Sequence, residues 1–261
     1  MTGTRFAGRV AIVTGAANGI GAAVAHAFAA EGASVVAVDL DAEMLRSVVE
    51  EIAADGGAAT AVTGDVGEEP TARRAAATAA ESYGGLDVLF NGAGVNRHGA
   101  VPDVSLADWE FVLGANLRGP FLLMKHAIPL LRERGGGAIV NTASVQAFAS
   151  MPAVPAYAAS KAGVVALTAA AALDHAKDGI RVNCVAPGSV RTPMLRAAAE
   201  QYAPDDPERA LAEWGAVHPI GFLAEPEDVA ALVLFLAGPE SRAITGACYR
   251  VDGGLLAKLA H

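Results

Sequence analysis

Short apolar runs alternate with longer helical patterns along almost the whole of this 261-residue chain. The runs are Val10–Thr14, Ser34–Val38, Ala58–Thr63, Val88–Asn91, Ala138–Thr142, Arg181–Val185 and Cys248–Val251. Most lack the polar alternation of a half-exposed strand, so they read as strands covered on both faces. Between them, helical patterning occupies 19–31, 42–54, 69–82, 105–132, 156–177 and 227–237. Strand alternating with helix requires crossover connections, which are right-handed in nearly every known case. The expected fold is α/β: a doubly wound, seven-stranded, mostly parallel sheet with helices on both faces. No repeat or linker divides it, and residues 1–261 are expected to form one domain. Only 189–224 breaks the rhythm, with Pro193, Pro204, Pro207 and Pro219 in loop and short-helix patterning. An irregular insert after a strand of such a sheet is where a lid sits.

Composition excludes several roles. The hydrophobic share of 53% is enough for a large core, and the net charge is -9 with no long basic stretch. A surface that tracks nucleic-acid phosphates is therefore not expected. The longest near-apolar run, Gly163–Leu173, is short for a bilayer, which takes about 20 residues. There is no charged-then-apolar signal at the start, so a cytoplasmic protein without a membrane partner is expected. Cys184 and Cys248 lie in apolar runs and read as small core residues. No cysteine or histidine spacing suggests a metal site.

The first strand candidate runs into Thr14-Gly15-Ala16-Ala17-Asn18-Gly19-Ile20-Gly21, which opens a helix. Glycines there let the backbone turn tightly and approach a pyrophosphate, while the helix N-terminus offers amide donors and a favourable dipole. The spacing differs from Gly-x-Gly-x-x-Gly, and a purely structural turn is the competing reading. Asp39, 18 residues beyond Gly21, follows the second strand candidate. A carboxylate there accepts hydrogen bonds from an adenosine ribose diol and repels a 2′-phosphate. Ala16, Ala17, Asn18 and Leu40 offer no cation to offset that repulsion. Asp41 is the better candidate for capping the following helix.

These motifs and those that follow in order resemble the short-chain dehydrogenase/reductase family over nearly the whole chain. Thr14–Gly21 is similar to the family's Thr-Gly-x-x-x-Gly-x-Gly. Asp65-Val66 resembles its adenine-contacting pair. Asn91-Gly92-Ala93-Gly94 is similar to Asn-Asn-Ala-Gly, with a glycine at the second place. Asn116, Ser144 and Tyr157-Ala158-Ala159-Ser160-Lys161 resemble its active-site asparagine, serine and Tyr-x-x-x-Lys. Pro187-Gly188 with Val190 and Thr192 resembles the stretch that holds the nicotinamide. The resemblance implies a Rossmann-type fold and NAD as cofactor. It implies cofactor contacts from Gly15, Asn18, Gly19, Ile20, Gly21, Asp39, Leu40, Asp65, Val66, Asn91, Ala93, Gly94, Tyr157, Lys161, Pro187, Gly188, Val190 and Thr192. It also implies association through the alanine-rich helix Ala156–Asp174, giving a homotetramer.

The residue types suit hydride transfer between a secondary alcohol and its ketone. Tyr157 and Lys161, four apart, share one helix face. A cation beside the phenol is expected to lower its pKa from about 10, making Tyr157 a general acid and base. Ser144, at a strand end 13 residues earlier, is placed to bond the substrate oxygen. The family role of Lys161 adds a bond to the nicotinamide ribose, and that of Asn116 a water-linked proton path. Each residue alone has a plainer reading: a solvated Tyr-x-x-x-Lys helix face, a strand-end serine, an asparagine in a helix interruption.

Substrate contacts are expected from Ser144, Gln146, Asn96, His98, Met151 and Met194, around a small-molecule substrate such as a sugar, polyol or hydroxy acid. Trp109 and Trp214 read as packing residues. Two other functions compete: an NADPH-linked 3-oxoacyl-type ketoreductase, disfavoured by Asp39, and a non-catalytic cofactor-sensing scaffold, disfavoured by the intact Ser144–Tyr157–Lys161 set.

Overall fold

The computed structural model describes residues 5–258; the ends of the 1–261 unit, 1–4 and 259–261, lie outside them. Seven strands form one sheet: β1 (Val10–Thr14), β2 (Ser34–Asp39), β3 (Ala58–Thr63), β4 (Val88–Asn91), β5 (Gly137–Thr142), β6 (Ile180–Pro187) and β7 (Cys248–Val251). Their order is β3-β2-β1-β4-β5-β6-β7, and every pairing is parallel. The seven expected strands are all present, with β6 reaching two residues further, to Pro187.

Six helices cover the sheet because side chains alternate between its faces. Ala11, Val13, Val35, Ala37, Phe90 and Val140 point to one side. There they meet α1 (Gly19–Ala30), α2 (Ala42–Ala54) and α9 (Pro226–Ala237), through Phe28, Leu45, Ile52, Val229 and Val233. Val10, Ile12, Val36, Leu89 and Ile139 point to the other. They meet α3 (Glu69–Tyr83), α5 (Gly119–Glu133) and α6 (Pro155–His175) through Ala75, Leu123, Leu131 and Ala172. With its terminal turn, α6 is long and apolar enough by length and composition to cross a bilayer, but it packs on β5 and β6.

The expected helix at 105–132 is α4 (Leu106–Leu113), a π-turn (Gly114–Arg118) and α5 in unbroken succession. Asp41 caps α2, accepting from the amides of Glu43 and Met44 at 3.1 Å each. The insert at 189–224 holds two helices, α7 (Pro193–Tyr202) and α8 (Pro207–Val217). They pack on each other through Ala199, Ala210, Leu211 and Leu223, with the Tyr202 and Trp214 rings 5.8 Å apart. Prolines open both helices, where a missing N–H costs nothing. The two ends of the insert pair through a bridge between Val190 and Ala224.

Candidate active site

Parallel strands put all their carboxyl ends on one edge, and every motif residue follows or ends a strand at that edge. After β1, the turn at Gly15 runs against the loop after β4. Gly15 has φ +71°, and a Cβ there would lie 2.8 Å from the Ala93 nitrogen, so only glycine fits. Thr14 Oγ1 accepts from the amides of Gly92 and Ala93 at 3.0 and 3.2 Å, fixing the two loops together.

The N-terminus of α1 is open to an anion. Asn18 stands at its cap without a side-chain hydrogen bond, and no acidic residue occupies the first turn. The first amides of a helix need acceptors, and its dipole favours negative charge there. The capped start of α2 is the contrast. Asp39 lies across the same turn: one oxygen accepts from Ala17 N at 3.0 Å, the other from Asp41 N at 3.1 Å. This carboxylate therefore caps no helix; it is held toward the turn by two backbone donors and has lone pairs left for a ligand. The donor set fits a dinucleotide: amides for the pyrophosphate, an acid for a ribose diol.

At the centre stands Lys161, 3% exposed, in the second turn of α6. Its Nζ donates to the Thr142 carbonyl at the end of β5, at 2.8 Å. Burial pulls its pKa down to about 8. Its ammonium lies 5.5 Å from the centre of the Tyr157 ring. A methyl built on Gly94 would lie 3.4 Å from Lys161 Nζ and 3.5 Å from Asn116 Oδ1, so the three positions adjoin.

The expected lowering of Tyr157 by Lys161 does not hold in the ligand-free protein. Burial pushes the phenol above its ordinary value, and the Ser144 hydroxyl opposes this only in part. The physical reason is that burial penalises the charged form of each group, raising the phenol and lowering the lysine. Ser144 is 7% exposed and accepts from Gln146 N at 3.1 Å.

Asn116 sits in the π-turn, a distortion that recurs at functional sites because it re-aims a side chain. Its Oδ1 accepts from Val95 N at 2.8 Å, and its Nδ2 donates to Val95 O at 2.9 Å and Ser160 Oγ at 3.1 Å. Ser160 in turn donates to the Tyr157 carbonyl at 2.7 Å. The loop after β4 and the first turn of α6 are thus tied through one amide.

Other expected residues are placed differently. The Asn91 side chain faces the helix layer, donating to Asn141 at 2.8 Å, and Asn141 donates to Thr168 of α6 at 2.9 Å. Asp65 closes its own turn on Gly67 N at 2.8 Å, beside buried Val66. Leu40, Met151 and Met194 are exposed. Asn96 and His98 lie in contact on the loop after β4, 3.4 Å apart. Thr192 caps α7 and lies against Gly19, joining the insert to the glycine turn.

One residue that the motifs did not announce is His218, at the end of α8. It is 4% exposed; its Nδ1 donates to Trp214 O at 2.9 Å and its bare Nε2 accepts from Ser189 N at 3.2 Å. Its partners fix both nitrogen roles. A Cβ on Gly188 would lie 2.8 Å from that Nε2, so Gly188 is glycine because the ring stands there. A lone histidine 30 residues beyond Gly188 carries no local signal of this contact.

Comparison with known proteins finds relatives over nearly the whole chain. The family model described as enoyl-(acyl carrier protein) reductase matches residues 15–256. Oxidoreductase UcpA of Salmonella typhimurium is 39% identical over 251 residues, 96% of this chain and 95% of that protein. Cyclohexanol dehydrogenase of an Acinetobacter species is 38% identical over 255 residues, 97% of each chain. The crystal structure of L-sorbose reductase from Gluconobacter frateurii, complexed with NADPH and L-sorbose, superposes with a TM-score of 0.94. It is 31% identical and covers 99% of this chain and 100% of that one.

The buried ammonium has a measurable cost. Because the folded pKa of Lys161 is depressed, its charge destabilises the ligand-free protein fully below about pH 8. That cost fades between there and the unfolded value near about 10.4. Lys161→Met should therefore stabilise the ligand-free protein by about 1–3 kcal/mol at neutral pH. Denaturant melts across pH should show the gain shrinking toward alkaline pH. A less stable variant at neutral pH would overturn this account of the site.

Proposed function

The chain belongs to the short-chain dehydrogenase/reductase family and is an oxidoreductase; within that family we propose that it is an NAD-linked dehydrogenase of polar secondary alcohols, with Asn116, Ser144, Tyr157 and Lys161 as its catalytic set. The observation that carries the reading is the dry Lys161 ammonium beside Tyr157, whose phenol meets the Ser144 hydroxyl, at the edge where the α1 N-terminus is left open. The family binds a nicotinamide dinucleotide, which accepts or gives the hydride at the substrate carbon. Gly15, Asn18, Gly19, Ile20 and Gly21 would hold its pyrophosphate. Asp39, with Leu40 beside it, would hold the adenosine ribose, and Asp65 and Val66 the adenine. Ala93 and Gly94, then Pro187, Gly188, Val190 and Thr192, would line the nicotinamide half, with Asn91 beneath them at the end of β4, its side chain turned to the helix layer.

Tyr157 exchanges a proton with the substrate oxygen, and Ser144 donates a hydrogen bond to that oxygen as charge develops. Lys161 holds positive charge beside the phenol, where low solvent access makes it count for more than in water. Asn116 keeps the loop after β4 and the start of α6 in register with Tyr157. The reading includes a single domain over residues 1–261, a cytoplasmic location and a homotetramer. The exposed apolar side chains of Leu106, Phe121 and Leu173, on helices of one layer, support the association.

The preference for NAD rests on Asp39, since the L-sorbose reductase structure holds NADPH. Two charges about 4 Å apart at a protein surface repel by about 4 kcal/mol at most. NAD should accordingly be favoured by roughly a hundredfold in kcat/KM. Asp39→Ser should narrow the gap and also weaken NAD, because the carboxylate braces the Ala17 amide. A wild-type ratio favouring NADP would refute the assignment.

Tyr157→Phe should cut turnover by about 10²–10⁴ while NADH binding, read by fluorescence, stays near wild type. Because burial raises the phenol, alcohol oxidation by the wild type should speed up continuously from neutral into alkaline pH, as phenolate accumulates. Retained activity in the phenylalanine variant, or a flat alkaline profile, would exclude the tyrosine as base.

The insert at 189–224 acts as a lid, and His218 latches it to the Gly188–Ser189 segment. Hydrogen exchange should show amides from Arg191 to Tyr202 protected when NADH and a substrate analogue bind. His218→Leu should abolish that protection, and His218→Gln, which keeps one donor and one acceptor, should restore much of it. Equal exchange in free and bound wild-type protein would count against a lid.

A further inference from the structure

Among the described residues, four buried side-chain polar atoms have no hydrogen-bond partner: Asn91 Oδ1, Asn96 Oδ1, Thr142 Oγ1 and Gln146 Oε1. Buried polar atoms are nearly always satisfied, so each exception asks for a cause. All four lie at the ends of β4 and β5 or in the loops that leave them. Asn91 and Thr142 belong to the strands themselves. Asn96 and Gln146 belong to the two loops that flank Ser144 and Tyr157.

Those two loops are joined. Gly99 N donates to Ala153 O at 2.9 Å, and Ala153 has φ +61°, the one non-glycine residue with positive φ among the described residues. Backbone strain of this kind persists where surrounding contacts over-determine it, and it gathers at ligand sites. On one loop, Gln146 stands two residues past Ser144, its own amide bonded to the serine oxygen at 3.1 Å. Its Nε2 reaches only the Met151 thioether, at 3.8 Å. Reversing that amide would set oxygen against sulfur, two acceptors, so the donor faces Met151 and the oxygen is left idle. Met151 is 61% exposed, a weak and displaceable cover. On the other loop, with the Asn96 amide set to donate to a bare His98 Nε2 at a long 3.4 Å, its oxygen too is idle.

We propose that the substrate is polyhydric: beside the hydroxyl that reacts, it carries at least one other, each donating to one of the amide oxygens of Gln146 and Asn96. This rests on the dehydrogenase reading above and selects within it. Two idle acceptors call for donors. A neighbouring hydroxyl is a donor; a carboxylate is an acceptor only and would be repelled. Arg97, the basic residue next to Asn96, does not serve a carboxylate, because its guanidinium stacks over Phe111 at 4.5 Å and pairs with Asp108 at 3.5 Å. A simple alcohol would leave both oxygens unpaired. The class is therefore a vicinal diol, polyol or sugar, and in the reverse direction the matching hydroxyketone.

The test is a matched substrate panel with the purified full-length enzyme and either cofactor. Butane-2,3-diol is compared with butan-2-ol and 3-hydroxybutyrate, and cyclohexane-1,2-diol with cyclohexanol. The diol should be favoured by about tenfold or more in kcat/KM in whichever series turns over, since a site built to pair a hydroxyl rejects analogues that lack it. At least one of Gln146→Leu and Asn96→Leu should shrink the diol-to-alcohol ratio toward one. Gln146→Met, which keeps the chain length, replaces the leucine variant if that one fails to melt cooperatively. The readout is the ratio, so a general loss of activity does not imitate it. A wild-type ratio at or below one, a preference for the hydroxy acid, or ratios unmoved in both variants would overturn the proposal with the dehydrogenase intact. No turnover of any alcohol with either cofactor would remove the dehydrogenase reading, and this proposal with it.

Discussion

An ammonium group taken out of water costs several kcal/mol unless fixed dipoles replace its hydration. Lys161 is held in that condition by one carbonyl, Thr142 O, at the last residue of β5. The contact exists only because β5 ends where α6 begins its second turn, and α6 can begin there only if the 143–154 loop returns over the sheet edge. The loop after β4 must then lie beside the first turn of α6, where Asn116 ties Val95 to Ser160. The glycine turn after β1 is pressed against that same loop through Thr14. Placing one cation thus depends on the relative registers of β1, β4 and β5 and on the seat of α6.

Register is secured beneath the site by a row of polar side chains. Thr14, Asn91, Asn141, Cys184 and Cys248 are successive partners across β1, β4, β5, β6 and β7. Asn91 bonds Asn141, and Asn141 bonds Thr168 on the covering helix. A strand that slipped by one residue would turn its member of the row to the opposite face and leave buried amides unpaired. Cys248 and burial together push the Cys184 thiol far up, so it stays protonated and inert, as a packing residue should.

The sequence revealed positions along the chain better than directions in space. Apolar runs without alternation located the five inner strands, because burial on both faces leaves few polar positions there, while the half-exposed edge strands β3 and β7 were placed by the alternation of strand with helix along the chain. Glycine and proline placed the turns for steric reasons that need no tertiary context. Asn91 shows where such reading stops: a motif residue at a strand end can point to the ligand edge or into the helix layer, and only the phase of the strand decides. The Tyr157 shift was hidden for a related reason. Spacing four residues apart brings a cation near the phenol, but whether attraction or desolvation wins depends on how dry the shared site is. His218 was hidden because its partner, Ser189, lies across an insert whose fold is set by α7 packing on α8. The cap of α2 was legible, because Asp41 stands at the helix start and Asp39 belongs to the strand before it.

The two edges of the sheet show how a fold accommodates an unsatisfied site. At the amino edge, Asp87 is 3% exposed, and burial alone would push its carboxyl up. Hydrogen bonds from Arg134 at 2.9 Å, Arg9 at 2.7 Å and Val10 N at 2.9 Å outweigh that and hold it below the usual carboxylate range. A charge there is fully paired, bridging β1 to the start of β4 and the end of α5. At the carboxyl edge the opposite holds: a cation with one partner, four idle polar atoms and a strained alanine. Each of these raises the free energy of the ligand-free state, and those in the loops after β4 and β5 are groups that a ligand of complementary chemistry relaxes. Stability gathered at one edge lets the other remain reactive, and parallel strands make the separation possible because they send every strand end of one polarity to the same side.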